Sequence, residues 1–420
     1  MPLLYKTTRR HVPKHLMPEN SPKNSIRPLN WLNFFAADVS DGVGPFLAVY
    51  LATNLHWKSG QIGMAIAATT FSMVLMQSPA GYLVDNIQRK RMPIIIASII
   101  VAAVAFTFPL LRSFYVIMAC QVILGLAASF YIPTLVALAS VIAPQGKFDT
   151  VISKNQSFNH AGNVASAVLT GVVAKFTHNN GIFYCMMGLA VMCTISGFSI
   201  AQKDVNQQRP KKEVDKESKK GLLKELFGNR AFLIFLLLTI IFYFSNGAML
   251  PLVAQEIAKD NEKNSTLYLS ACIIIAQLVM VPTVYVCGKQ AQNGRKKLLI
   301  IAFILLAARG ILYTFTDVTW HLLIFQVLDG MAAGVFSVVS MMVVDDLMGN
   351  SGRASFAQGL WATGLSLGST LSNLSAGFMV DAAGFKIGFM FLSALALGAL
   401  FLLWKFMPET LHKFEEQPVR

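Results

Sequence analysis

Charged residues are scarce in this sequence. They make up 13% of its 420 residues, against 55% apolar ones. A soluble chain of this length cannot hide that much apolar surface, so a soluble multidomain protein is excluded. Nucleotide-binding loops are missing too. There is no GxxxxGK[ST] and no GxGxxG after a strand, and the GxSxG string at Gly364–Gly368 lies inside an apolar run, not at a strand-to-helix elbow. ATP-driven pumping and hydrolase chemistry are therefore unsupported, no cofactor is implied and no enzyme activity is expected. Cysteine is rare, and Cys120, Cys185, Cys193, Cys272 and Cys287 all lie in apolar runs without CxxC or Cys/His spacing. They read as small core residues, and no metal site is expected. The first 28 residues carry Arg9, Arg10, Lys14, Lys23 and Arg27 but no short apolar core with a cleavage site. They read as a basic cytoplasmic tail rather than a signal peptide.

What is abundant is apolar runs of about 20 residues, the length that crosses roughly 30 Å of hydrocarbon. Twelve spans are expected, near 30–53, 61–84, 92–111, 114–141, 154–176, 181–201, 230–254, 265–287, 298–316, 320–345, 355–380 and 385–407. The fold class is all-α integral membrane protein. Residues 202–229 contain DVNQQRPKKEVDKESKK, which is charged and nearly free of apolar side chains, so they read as a solvated linker. The expected organisation is a tail at 1–29, six-helix bundles at 30–201 and 230–407 around that linker, and a second tail at 408–420.

The net charge is +14. Its distribution argues against nucleic acid, because Lys and Arg gather in alternate loops. With the N-terminus inside, 28 of them fall on the cytoplasmic side and 6 outside, leaving Arg309 within a span. The positive-inside rule then puts both termini and the linker in the cytoplasm.

The two halves resemble each other. Gln121-Val122-Ile123-Leu124-Gly125 in span 4 matches Gln326-Val327-Leu328-Asp329-Gly330 in span 10, 205 positions later. The same offset sets Asp41-Gly42 in span 1 against Asn246-Gly247 in span 7. At 202, Gln156 and Gly162 meet Gln358 and Gly364. A duplicated unit of six spans keeps both copies in one orientation, and such parallel repeats hold substrate between them near the midplane.

The 2–3 loop, Gly81-Tyr82-Leu83-Val84-Asp85-Asn86-Ile87-Gln88-Arg89-Lys90-Arg91, resembles the G-x-L-x-D-R-x-G-R-K/R loop of the major facilitator superfamily. Gly81, Leu83, Asp85, Arg89 and Lys90 match, while Asn86 and Gln88 replace the usual Arg and Gly. Span 4 is similar to the family's R-x-x-Q-G-x-G-A-A segment, with Gln121 where the Arg would stand. The resemblance implies a bacterial-type transporter with twelve helices in two six-helix repeats. It also implies that Gly81, Asp85, Arg89 and Lys90 latch the halves on the cytoplasmic side when the cavity opens outward.

The polar residues inside the spans point to mechanism. A carboxylate at mid-bilayer costs about 2.5–3.5 kcal/mol on insertion scales, so Asp38 and Asp41 invite a functional reading. They lie three apart on one helical face, about 12 and 16 Å from the cytoplasmic start. Two carboxylates so close disfavour double ionisation, which suits a proton carrier or a cation ligand. The repeat favours Asp41 as the carrier and Asp38 as its modulator. Gly42, Gly44 and Pro45 weaken the helix just beyond, either as a hinge or for close packing. Span 5 presents Asn155, Asn159 and Asn163 as one stripe and Gln156 with His160 as the next. His160 is either a titrating group or a hydrogen-bonded packing residue. In the second half Asp329 either pairs with Arg309 or faces the cavity, with Asn246, Gln326, Gln358 and Trp361 as polar contacts. Phe34, Phe35, Phe130, Tyr131, Phe242 and Tyr243 are candidates for an aromatic wall. Asp345 and Asp346 are expected to be solvated.

The expected function is secondary active transport across the inner membrane. Proton-coupled export of a small amphipathic or polar molecule leads. A nutrient or cation importer or uniporter, and a lipid flippase or membrane sensor, are the alternatives. The expected partners are the substrate, protons and the bilayer, and the chain is expected to act as a monomer.

Overall fold

A computed structural model describes residues 23–41, 44–144, 148–205, 228–260, 262–348 and 354–411. Every regular element among them is helical. The first half comprises α1 (Lys23–Asp41), α2 (Gly44–Thr53), α3 (Ser59–Asn86), α4 (Met92–Thr107), α5 (Phe114–Ala128), α6 (Tyr131–Ile142), α7 (Phe148–Phe176), α8 (Gly181–Ser199) and the short α9 (Gln202–Val205). The second comprises α10 (Arg230–Asn246), α11 (Met249–Asp260), α12 (Ser265–Gln290), α13 (Arg295–Tyr313), α14 (Thr319–Ile324), α15 (Gln326–Met348), α16 (Ala354–Ala383) and α17 (Phe385–Phe406). Most of the linker and both terminal tails lie outside the described residues. α1 begins at Lys23, inside the segment read as the first tail.

Eight helical stretches among the described residues are long and apolar enough to cross a membrane by length and composition. They correspond to spans 2, 3, 4, 6, 7, 8, 10 and 12. The other four expected spans fall on α1–α2, α7, α13 and α16, whose composition explains the difference. α13 opens on Arg295-Lys296-Lys297 and holds Arg309, α7 carries the Asn/His stripes, and α16 is rich in Ser, Thr and Gly. The helices that fail a hydropathy test are largely the ones that carry the polar candidates.

Packing repeats between the halves. α1 lies on α7, α3 on α5 and α4 on α8; their counterparts α10 on α16, α12 on α15 and α13 on α17 do the same. Each half has its own apolar cluster, that of the first also taking in Ala254 and Leu269 of the second. The halves meet mainly along α3 against α16, α7 against α12, and α2 against α11, with α2 also touching α12.

Span 7 is interrupted: α10 stops at Asn246 and α11 resumes at Met249. In span 1, residues 42 and 43, between α1 and α2, lie outside the described residues. In the break of span 7 a Cβ on Gly247 would meet Ser369 Cα at 2.9 Å. The Ala248 N–H donates to Ser372 Oγ on α16 at 2.8 Å. A neighbouring helix thus takes up a donor that the interrupted ladder leaves over.

Candidate transport site

The second half contains the best-defined polar cluster. Arg309 points inward from α13 and is 1% exposed. Its guanidinium forms an ion pair with Asp329 on α15, whose side chain is 16% exposed. It also donates to Asn246 Oδ1 at the end of α10 and approaches Met249 Sδ at 2.9 Å. The Tyr313 ring, one turn on from Arg309, lies 5.9 Å from its Cζ. Tyr313 in turn accepts a hydrogen bond from Gln326 Nε2 at 2.9 Å. Of the two alternatives for Asp329, the pair with Arg309 is therefore the one observed. The geometry gathers Asn246, Gln326 and Asp329, three residues chosen from the sequence, around one buried cation. Met249 and Tyr313 were not foreseen. For Tyr313 a signal was available, since its place four residues after Arg309 puts both on one face.

Gln358 and Trp361 are not joined to this cluster. Gln358 is exposed. Trp361 is half-buried, and its indole N–H has no hydrogen-bond partner among the described residues. Gln277 Oε1 on α12 and Gln77 Oε1 on α3 are likewise buried without one. Polar atoms of this kind, on helices that line the junction of the halves, are the groups a polar solute or water would satisfy.

In the first half, the side chains of Asp38 and Asp41, and the whole of Gly42, lie outside the described residues. The backbone sets Asp38 and Asp41 among the last described residues of α1. Gly44 and Pro45 open α2. α7 approaches α1 closely: a Cβ on Gly162 would run into the Phe34 carbonyl and the Ala37 Cβ. That contact brings the Asn159, His160 and Asn163 stretch alongside α1. All three are half-buried, and His160 Nδ1 is buried without a partner among the described residues. Gln121 is buried on α5 and accepts a 2.6 Å hydrogen bond from Thr69 on α3. It ties two helices of the first half together.

Of the expected aromatic wall, Tyr131 and Phe242 are core, while Phe34, Phe35, Phe130 and Tyr243 are half-buried. Tyr131 is fully buried and hydrogen-bonded to Ser98 at 2.9 Å. Phe242 stacks on Phe336 with centroids 3.7 Å apart and meets Phe303 edge-on. Such pairs contribute about 0.5–1.5 kcal/mol each beyond their burial, which suits a packing role.

At the basic end, Asp85 and Arg89 are exposed, and a Cβ at Gly81 would meet nothing within 4 Å. Lys90 Nζ donates to the carbonyls of Val84 and Asp85 at 2.6 and 2.7 Å, capping the C-terminus of α3. Arg91 donates to the Phe198 and Ile200 carbonyls at the end of α8. Cations at helix C-termini oppose the helix dipole. Asp346, expected to be solvated, instead forms a 3.0 Å ion pair with Arg295, because α15 ends beside the start of α13. Asp345 is exposed.

The opposite end is shut. Gly63 packs onto the Asn373 carbonyl and Gly377 onto Ser59. Thr370 and Thr70 hydroxyls hydrogen-bond at 2.8 Å. On the other flank Gly171 of α7 meets Ser270 of α12. These contacts between the halves all lie in the 59–70, 171, 270 and 370–381 segments. A surface groove of about 660 Å³ between α1 and α8 lies away from this junction and is lined by Arg27, Trp31, Phe35 and Ser196.

A duplicated helical membrane protein with a polar seam between its halves has the layout of a solute carrier, and the family comparison agrees. The model of the Major Facilitator Superfamily matches residues 29–292 and 275–418. The chain belongs to this superfamily. It is a multi-pass membrane transporter of small molecules and not an enzyme. An uncharacterized MFS-type transporter of Mycobacterium tuberculosis (strain H37Rv) is 36% identical over 405 residues, covering 93% of this chain and 94% of the relative. The inner membrane transport protein YnfM of Escherichia coli K12 is 26% identical over 165 residues, 39% of this chain and 38% of that one. Among solved structures, the nucleoside transporter NupG superposes with a TM-score of 0.74 at 15% identity, covering 92% of this chain and 98% of that one. A D-xylose–proton symporter gives 0.70 at 16% identity, with 93% and 98% covered. At these identities the superpositions speak for the superfamily fold alone.

Proposed function

We propose that this superfamily member is a proton-coupled exporter of a small amphipathic or polar molecule, working by alternating access in the inner membrane. Its twelve spans would cross with both termini in the cytoplasm. The basic end is then the cytoplasmic face, and the shut end the outer face. In this arrangement the protein would be closed outward, with Asp41 of span 1 near mid-membrane.

One observation carries the coupling. Arg309 is the sole Lys or Arg that the sequence puts well inside a span, away from its ends, and it is engaged by Asp329. The acids of span 1 are thereby left without a deep in-span cation to neutralise them. A carboxylate in a low-dielectric setting then gains most by binding a proton. Asp41 is the proposed carrier and Asp38 its modulator. His160, Asn159 and Asn163 on the adjoining α7, with Gln121, Gln326, Asn246, Asp329, Gln358 and Trp361, are the proposed substrate-facing or coupling groups. The apolar, aromatic-bearing surroundings favour an amphipathic solute leaving the cell.

The test uses purified protein in proteoliposomes with an imposed pH gradient, screened against a solute panel by gradient quenching and recovery. Wild type is expected to move a solute against its gradient and to dissipate the proton gradient as it does so. Asp41→Asn is expected to lose gradient-driven transport by at least tenfold while keeping solute counterflow. Unchanged gradient-driven transport in Asp41→Asn would overturn the assignment.

A further inference from the structure

Two segments of this chain repeat outside the offset that relates its halves. Ala80-Gly81-Tyr82-Leu83-Val84-Asp85 closes α3, and Ala376-Gly377-Phe378-Met379-Val380-Asp381 nears the end of α16. Both share Ala-Gly-aromatic-x-Val-Asp. α3 and α16 are the helices that pack against each other across the junction of the halves. They run antiparallel, since residues 59–63 of one lie beside 373–381 of the other. An antiparallel pair puts the C-terminal segment of each helix next to the N-terminus of its partner. The two copies of the motif therefore occupy equivalent positions at opposite ends of one helix pair.

One copy is engaged. Asp381 Oδ2 accepts a 2.9 Å hydrogen bond from the Gly60 N–H, in the first turn of α3. That N–H is among the donors a helix leaves unpaired at its start, and the N-cap residue, Lys58, supplies no side-chain cap to this turn. The approach depends on small residues. A Cβ on Gly60 would sit 2.7 Å from Asp381 Oδ2 and 3.0 Å from the Phe378 ring. Ala376 is buried, and Val380 is nearly so. The other copy, at the basic end, is open: Tyr82, Leu83 and Asp85 are exposed.

The opposite flank of the shut end has its own tie. Asn179, between α7 and α8, donates to Thr53 Oγ1 at 2.9 Å and accepts from Thr266 Oγ1 at the start of α12. It is held at φ 65°, a left-handed conformation that asparagine tolerates better than most residues. One amide thus joins α2 of the first half to α12 of the second.

We infer that Asp381 and Asn179 are the two clasps of the outer gate, and that Asp381, by capping α3 from the other half, sets the population of the outward-closed state. Asp381 is a positioning residue and touches no substrate. The inference rests on the alternating-access reading above. When the outer end opens, α3 and α16 separate there and the Gly60 N–H turns to water, so the carboxylate's attraction to the helix N-terminus is present in one state only. A charge at a helix terminus of this kind changes an equilibrium by about two- to fivefold.

The test is a distance measurement on the full chain in lipid. Spin labels on Ser113→Cys and Phe315→Cys, two exposed outer residues in opposite halves, report the outer opening, with Cys120→Ser to remove the half-buried native thiol. Asp381→Asn is expected to raise the ratio of the long to the short distance about two- to fivefold, Asp381→Glu to restore part of the short population, and Asn179→Ala to raise the ratio independently. Gly60→Ala, which pushes the carboxylate away without removing it, is expected to mimic Asp381→Asn. Two populations in wild type with a ratio unmoved by Asp381→Asn and by Gly60→Ala would overturn the clasp. A single wild-type distance under every pH gradient and solute would overturn the alternating-access reading instead.

Discussion

Arg309 and Asp329 meet as an ion pair between α13 and α15, with the guanidinium almost wholly withdrawn and the carboxylate partly open to the interior. Asn246 and Met249 complete the shell of the cation. This arrangement ties three helices of the second half at the level where α10 breaks. Removing one partner leaves an uncompensated charge in a low dielectric, which costs about 3–5 kcal/mol, whereas replacing both by apolar groups is often nearly neutral. Arg309→Met and Asp329→Asn should each lower the unfolding temperature in detergent sharply. Arg309→Met/Asp329→Leu should recover most of the loss. Additive losses in the double variant would show that the two side chains act separately.

The contact of α7 with α1 leads to a second expectation. Gly162 leaves no space for a side chain against the Phe34 carbonyl and Ala37. An added methyl must push the helices apart, at about 1–3 kcal/mol for overpacking of this kind. Gly162→Ala should therefore reduce both thermal stability and transport, and Gly162→Leu should block stable expression. Gly188 on α8, where a Cβ would meet nothing within 4 Å, is the control: Gly188→Ala should leave both unchanged. Equal behaviour of the two alanine variants would remove the packing explanation.

Much of this was legible from the chain. Twelve apolar runs were expected to cross, and eight of them are helical stretches long and apolar enough to do so; Asn246-Gly247, picked out by its match to Asp41-Gly42, lies where α10 ends. What was not legible depended on partners brought in from other helices. Nothing local says that Arg309 turns inward, because a peripheral and a buried face of α13 are equally apolar. Lys90 reads as a latch candidate and Arg91 as a topology signal, yet here they cap the carbonyl ends of α3 and α8. The second Ala-Gly-aromatic-x-Val-Asp segment lies 296 positions after the first, outside the offset of the duplication. Its relation to the first is that of antiparallel neighbours. Asp346 looked solvent-bound because its partner, Arg295, lies on another helix.

Glu409 offers a pH test outside the membrane. Burial works to raise its carboxyl, but the backbone N–H groups of Arg295, Leu411, Lys296 and Thr410 outweigh that and hold it below the ordinary carboxylate value. A group depressed in the folded state adds stability that is fully present above its unfolded value. The stability is lost as pH falls through the folded value. Glu409→Gln should therefore cost a few tenths to about 1 kcal/mol at neutral pH, as for a carboxylate at the start of a helix. The difference from wild type should vanish at acid pH, below about 4. Melting curves of both proteins between about pH 3 and 7.5 check the convergence. A gap that stays constant across the range would mean that shape, not charge, is what Glu409 contributes.

The antiparallel pairing of α3 and α16 also fixes the sign of a substitution at the other end. Asp381 caps α3 while the outer end is shut, and Asp85 holds the matching place in its own copy of the motif at the basic end of α3, exposed in this state. Closing the basic end would bring Asp85 to the N-terminus of α16, so its charge would stabilise the outward-open state alone. Asp85→Asn should then lower the ratio of the long to the short outer distance, opposite to Asp381→Asn and of similar size, about two- to fivefold. Asp85→Asn/Asp381→Asn should return the ratio close to wild type, since each substitution destabilises a different state. The two single variants should both slow turnover, because each biases a cycle that needs both states. The same pair of spin labels reads all three variants, and shifts of the same sign from Asp85→Asn and Asp381→Asn would show that the two motifs do not act as opposed clasps.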